Sequence, residues 1–321
     1  MSVAAASSSW PAALLAAVVA GAVCAQTYPT RPVRIVTAGV GGGNDLVSRL
    51  IAQGISGPLG QQVIVENRGG GLLSGDTVAR ALPDGHTVLV ASGSLWIGPL
   101  VRRKMPYDVM RDFIPITLAD RAPNILVVHP SLPVKTVREL IVFAKSRPGE
   151  LNFSSAGTAA SSHLSGELFK AMAGIDIVNI QFKSHSQETI ELLAGRMHLA
   201  FSNPQVAGLH IKSGKLRALA VTSPQPSALV PGLPTVASSG LPGYESESFH
   251  AVFAPARTPE AIVNRLHREI VYVLKSAETR DLLLGAGVEA VGGSREALLA
   301  LLKAEIARWG KVIRDAGIRE E

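Results

Sequence analysis

The strongest constraint on this chain is a repeated alternation of short aliphatic runs with stretches of helical spacing. Val33–Thr37 is a β-branched run, Gly41-Gly42-Gly43-Asn44-Asp45 breaks it, and Leu46–Ile55 has helical periodicity. Val63–Val65, Thr87–Val90 and Ile125–Val128 are further apolar runs, bounded by turn signals such as Asp84-Gly85. Continuous Val/Ile/Leu strands separated by helices predict parallel sheets covered on both faces. The pattern then restarts: strand 151–154, helix 161–173, strand 175–180, helix 186–194, strand 197–201, helix 204–212 and strand 216–222. The Pro-rich stretch 224–243 reads as irregular. Ala251–Ala254 reads as a strand, and helix 259–275 is predicted to start with Thr258 as N-cap and Pro259 at its first position. The last helix, 295–314, carries Leu298, Leu301, Leu302, Ile306, Trp309 and Ile313 on one stripe. The expected architecture is α/β, with two doubly wound lobes. Chain crossings are expected near 121–125 and 246–250, and the C-terminal helices return to the first lobe. Two lobes joined by two hinge segments can close on a ligand.

Composition narrows the function. Of 321 residues, 47% are hydrophobic and 17% charged, the opposite of a disordered chain. One cysteine excludes a disulfide framework, a Cys-rich zinc site and an iron–sulfur cluster. Aromatics at 5% argue against a base-stacking surface. The net charge of +6 is scattered and forms no basic run, which suits small anions and gives no footprint for nucleic acid. Residues 1–25 hold no charged side chain, and Ala12–Val23 is a twelve-residue apolar run. That run is too short to span a bilayer and suits a signal peptide, with cleavage after Ala25 and an exported mature chain from Gln26. A lipid on Cys24 and an ordinary buried N-terminal helix are the alternatives.

Two loops carry candidate chemistry. Gly41–Gly43 lies between a strand and a helix, where backbone N–H groups and the helix dipole can cradle a carboxylate or phosphate. The alternatives are a tight turn with no ligand, and a dinucleotide loop. For the latter, Gly39-x-Gly41-x-x-Asn44 lacks the third glycine of the fingerprint, and export argues against a diffusible NAD pool. Ser154–Ser162 again leads from a strand into a helix, with Gly157, Thr158 and Ser161 offering N–H and hydroxyl groups, or Ser161 simply capping the helix. The histidines at 129, 163, 185, 198 and 210 show no zinc-ligand spacing, and Gly-x-Ser-x-Gly is absent. No cofactor and no metal are expected.

Several phrases, in order, carry a resemblance: Tyr28–Val36, Gly41–Asp45, Val65–Arg68, Pro83–Gly85, Pro123–Pro130, His163–Phe169, Gly214–Val221, Pro231–Val236 and Leu241–Tyr244. The set resembles the extracytoplasmic solute-binding receptors of tripartite tricarboxylate transporters, the Bug-type family, from about Tyr28 to the C-terminus. The resemblance implies a two-lobed "Venus flytrap" of the periplasmic-binding-protein type II fold. Residues 26–122 with 249–321 would form one lobe and 123–248 the other. It also implies capture of a small carboxylate or related metabolite and delivery to membrane permease subunits. The family usually has Pro-Phe before the glycines, where this chain has Thr37-Ala38, and Gly with Ser or Thr where it has Ala159-Ala160. By the resemblance the ligand contacts are Gly41, Gly42, Gly43, Asp45, Ser92, Ser94, Gly157, Thr158, Ser161, His163, Lys183, Asn203 and Phe249. For His163 and Lys183 the competing roles are packing and a solvated loop; for Phe249 the competitor is core packing.

The sequence therefore predicts an exported, non-enzymatic receptor for a small anionic metabolite. The alternative from another class is a secreted α/β enzyme acting on a small carboxylated compound. A nucleophile–base pair in the cleft would distinguish it.

Overall fold

The computed structural model describes residues 28–319 apart from 42, 69, 156–159 and 183–184, and without the side chains of 70, 185 and 186. The chain runs β1 (Val33–Thr37), α1 (Gly43–Leu59), β2 (Val63–Asn67), α2 (Gly70–Ala79), β3 (Thr87–Ala91), α3 (Gly98–Val101), α4 (Val109–Asp112) and β4 (Phe113–Pro123). It continues β5 (Ile125–Val128), α5 (Val137–Lys145), β6 (Asn152–Ser155), α6 (Ser161–Ala173), β7 (Val178–Gln181), α7 (His185–Leu193), β8 (Leu199–Ser202), α8 (Pro204–Lys212) and β9 (Arg217–Val221). It ends β10 (Glu247–Pro255), α9 (Glu260–Lys275), α10 (Ala277–Gly285), β11 (Glu289–Ala290) and α11 (Arg295–Asp315).

These strands form two sheets, ordered β11-β4-β10-β3-β1-β2 and β7-β6-β8-β5-β9, so the molecule is a two-lobed α/β protein. Only Asn124 separates β4 in the first sheet from β5 in the second. The chain returns at β10, which pairs with β4 from Glu247↔Pro123 to Pro255↔Phe113.

The sheets are mixed, whereas the apolar runs predicted parallel ones. β1 is parallel to β2 and β3, and β6 to β7 and β8. β10 is antiparallel to β3 and β4, and β5 to β8 and β9. β11 is antiparallel to β4. β5 and β10 lie beside the crossings, and each enters its sheet from the other lobe, so it needs no helical crossover and runs against its neighbours. The sequence pattern also missed β4, because Pro115 and the charged pair Asp120-Arg121 interrupt its apolar run. Pro115 is accommodated opposite Phe253 at a register shift, where the ladder is already broken.

The start of α9 also differs. Pro259 is the N-cap, and the Thr258 hydroxyl donates instead to the Pro255 carbonyl at 2.8 Å. The Pro-rich stretch contains no named helix or strand and touches the second sheet through a bridge between Val221 and Thr235.

One apolar cluster extends from Val36 and Leu89 in the first sheet, through Trp96, Phe249 and Trp309, to Leu126, Phe153 and Phe201 in the second. The stripe on α11, including Leu298, Leu302, Trp309 and Ile313, is buried in it. A second cluster packs α1 and α9 on the other face of the first sheet, with Val47, Ile51, Val263 and Ile270 at its centre.

Candidate functional site

Three segments converge near the crossings. The loop after β3 brings Ser92–Ile97, the start of β10 brings Ser246–Phe249, and the first turn of α6 brings Ala160, Ser161 and Leu164. With Glu305 and Trp309 of α11 they enclose a cavity of about 260 Å³ between the two sheets. Open α/β sheets expose such a crevice at the carboxyl ends of their strands, where helix N-termini also point.

The cavity walls are largely aromatic and aliphatic. Trp96 and Phe249 stack at 4.6 Å between ring centroids with 15° between planes. Both are buried, as is Trp309, which also lines the cavity. The Trp309 indole N–H donates to Glu305 Oε2 at 2.7 Å, and Arg308 donates to Glu305 Oε1. Burial raises the Glu305 pKa even against these donors. Burial likewise pushes Glu247 up to about 7, with Arg121 opposing and Glu245, Glu289 and Glu305 reinforcing the shift.

The glycine turn adjoins this cavity. Asn44 Nδ2 donates to Ser92 Oγ at 3.4 Å, tying the start of α1 to the loop after β3. Gly41 has φ +82°, a conformation that glycine adopts without penalty. Its N–H donates to Asp45 Oδ2 at 3.0 Å. Asp45 Oδ1 accepts from Asn67 Nδ2 at 2.9 Å and pairs with Arg49 at 3.0 Å. The Arg49 contact, with those from Gly41 and Asn67, lowers Asp45 to about pKa 2 against the opposing effect of burial. Asp45 thus holds the turn from within, and its carboxylate is occupied.

Gly43 is required by a close approach. A Cβ there would stand 2.7 Å from His250 Cε1. The His250 ring meets Asp120 Oδ1 at 2.7 Å through Nδ1, and its backbone N–H donates to the same oxygen at 3.2 Å. Burial opposes charge on His250, but Asp120 outweighs it and the pKa is raised.

Of the residues expected from the sequence, Ser92, Ser94, Ser161 and Phe249 line this one cavity. Gly41, Gly43 and Asp45 form the adjoining turn. Gly42, Gly157, Thr158 and Lys183 lie outside the described residues. Ser161 is not the cap of α6; Ala160 takes that position, and no side chain caps it. His163 is buried in the first turn of α6 and does not line the cavity. Burial, with Lys170 adding to it, lowers its pKa to about 4, so it is neutral at physiological pH. Asn203 caps α8, its Oδ1 accepting from Gln205 N–H at 2.9 Å, and it too stands outside the cavity lining.

Sequence reasoning missed Trp96, Glu247 and Glu305 as cavity-lining residues, and placed Trp309 only on the core stripe of the last helix. The i, i+4 spacing of Glu305 and Trp309 on a helix was a signal that these two side chains share a face. Among the described residues no group of three or more His, Cys, Asp or Glu could hold a metal ion. No described helix is long and apolar enough to cross a membrane.

Comparison with known proteins agrees with this geometry. Residues 47–318 match the family model described as "Tripartite tricarboxylate transporter family receptor". Protein BugT of Bordetella pertussis is 33% identical over 306 residues, covering 94% of this chain and 94% of the relative. The Rhodopseudomonas palustris protein Rpa4515, solved with adipate, is 37% identical, with a TM-score of 0.74 over 91% of this chain and 99% of that one. MatC from Rhodopseudomonas palustris, solved with bound malate, is 28% identical, with a TM-score of 0.71 over 89% of this chain and 100% of that one. A two-sheet molecule with a cavity where its chain crosses, matched to one family model over most of its length, has an assigned place: the chain belongs to the tripartite tricarboxylate transporter receptor family of solute-binding proteins.

Proposed function

We propose that this chain is a periplasmic receptor that captures a small carboxylate between its two lobes and hands it to the membrane subunits of a tripartite tricarboxylate-type transporter, without catalysis. In this reading residues 26–122 and 249–321 form one lobe and 123–248 the other, and export removes residues 1–25. The observation that carries it is the cavity shared by the loop after β3, the first turn of α6 and the start of β10, because a ligand there touches both lobes at once. Such a ligand favours the closed arrangement by its differential affinity for it. The glycine turn beside Ser92, and the first turn of α6, supply partial positive charge for a carboxylate. Adipate and malate in two relatives support the ligand class. The polar groups of the lining are serine hydroxyls, backbone, two indole N–H groups and two glutamates, and the hydroxyls of Ser92 and Ser246 pair with Asn44 and Ser165 rather than with a base, which suits binding better than nucleophilic catalysis.

The test is a thermal-shift screen of the exported chain against mono-, di- and tricarboxylates, amino acids and neutral sugars. A ligand that binds only the native state raises stability by RT ln(1 + [L]/Kd), about 2.7 kcal/mol at a hundredfold excess over Kd. A carboxylate should raise the melting temperature and be recovered unchanged. Stabilisation by neutral sugars or cations alone, or turnover of the acid, would reject the reading.

A further inference from the structure

We propose that the part of the ligand seated between Trp96 and Trp309 is uncharged and apolar, so that this receptor takes a monocarboxylate with an aromatic or medium-chain aliphatic body in preference to a compact polycarboxylate. The inference rests on the receptor reading above and names its ligand class.

The charge of the lining carries it. Among the described residues that line the cavity none is Lys or Arg, while Glu247 and Glu305 are both among them. The nearest guanidinium to Glu305, that of Arg308, is already engaged by Glu305 and by the Glu245 carbonyl, to which it donates at 2.8 Å. A second ligand carboxylate inside the cavity would be stripped of water beside two carboxyl-bearing residues with no described lining cation to pair with, and an unpaired buried charge is strongly disfavoured. One carboxylate can stay at the mouth, beside Ser92 and Ser161.

The shape agrees with the charge. The flat pair of Trp96 and Phe249 lines the cavity together with Trp309, Ile97 and Leu164. Ring faces of this kind accept a third ring or an alkyl chain. An apolar cavity of about 150 Å³ holds benzene, and this one measures about 260 Å³.

The cavity also contains its own reporter. Of the three tryptophans, Trp10 lies in the segment expected to be removed on export, and Trp96 and Trp309 both line the cavity. The exported chain is titrated with phenylacetate, hexanoate, malate and citrate, by calorimetry and by tryptophan emission. Phenylacetate or hexanoate should bind at least tenfold tighter than malate and citrate and shift the emission. Ile97→Thr keeps the branched shape but replaces an ethyl group by a hydroxyl, and should weaken the apolar acid at least threefold. Apo melting is measured alongside, and if that variant does not fold, the unaltered chain still decides. Malate or citrate binding as tightly as both apolar acids would overturn this inference and leave the carboxylate-receptor reading standing. An apolar acid that binds without moving the emission, or with equal affinity to a folded Ile97→Thr, would also overturn it. Failure of every acid to bind would overturn both.

Discussion

Asn124 Nδ2 donates a 3.1 Å hydrogen bond to Ser165 Oγ, joining the residue between the two sheets to α6 of the second lobe. The bond belongs to a buried network. Ser165 Oγ meets Ser246 Oγ at 2.7 Å, and Tyr244 Oη donates to the Ser165 carbonyl at 2.9 Å. Thr222 Oγ1 accepts the Asn124 backbone N–H at 2.7 Å, and Ser246 N–H donates to the Thr222 carbonyl. Both chain crossings are thereby fastened to each other and to α6, which contributes to the cavity wall. Asn124→Ala should destabilise the fold by about 1–3 kcal/mol, the usual penalty for leaving a buried polar partner unsatisfied. Urea denaturation checks this, and an unchanged midpoint would remove the network from the description of the hinge.

Asp45 is expected to act on affinity through the glycine turn. Asp45→Ala removes the acceptor for Gly41 N–H, the tie to Asn67 and the pair with Arg49. Once a stabilising acid is known from the screen, this variant should bind it about tenfold more weakly while still folding, as one or two lost hydrogen bonds imply. Wild-type affinity in a folded Asp45→Ala protein would separate the turn from binding.

Glu247 should impose a pH dependence on stability. Its folded pKa of about 7 lies above the ordinary value of 4.5, so the folded state holds the proton more tightly than the unfolded state. Its contribution is complete below about pH 4.5 and is lost as pH rises through about 7. Glu247→Gln removes that loss. The variant should gain on the order of 2 kcal/mol relative to wild type at pH 8, with little difference at pH 4.5. Melting curves across that range check it, and parallel profiles for the two proteins would contradict the burial argument.

His163 works in the opposite direction. Its folded pKa of about 4 lies below 6.5, so the unfolded chain takes up the proton first and stability falls as pH drops from about 6.5 towards 4. His163→Gln should flatten the acid side of the same profile, and an unaltered acid side would show that burial of His163 does not govern it.

Much of this architecture was legible in the residues. Val33–Thr37 and Ile125–Val128 are strands as their β-branched and aliphatic runs required, and helices 161–173 and 204–212 fall where spacing put them. Parallel sheets were not, because apolar runs report burial on both faces but not the direction of the neighbouring strand. β4 was hidden by Pro115 and by the charged pair Asp120-Arg121. In the site, the glycine turn and Ser92, Ser94 and Ser161 were legible because small and hydroxyl residues flank strand–helix junctions. Glu247 was not, because its environment is built by Arg121, Glu289 and Glu305, brought together only by the return of the chain. Asp45 and Asn203 were legible as polar residues at helix starts, but sequence cannot tell a side chain that holds its own backbone from one that reaches a ligand.

The most direct test is a crystal structure of the exported chain with the acid that stabilises it most. Ligand density should fill the cavity between Trp96 and Trp309, with a carboxylate beside Ser92 and Ser161 and both lobes in contact with the same molecule. Density confined to one lobe, or to the groove between Leu209 of α8 and the loop at Leu229–Leu233, would contradict capture between the lobes.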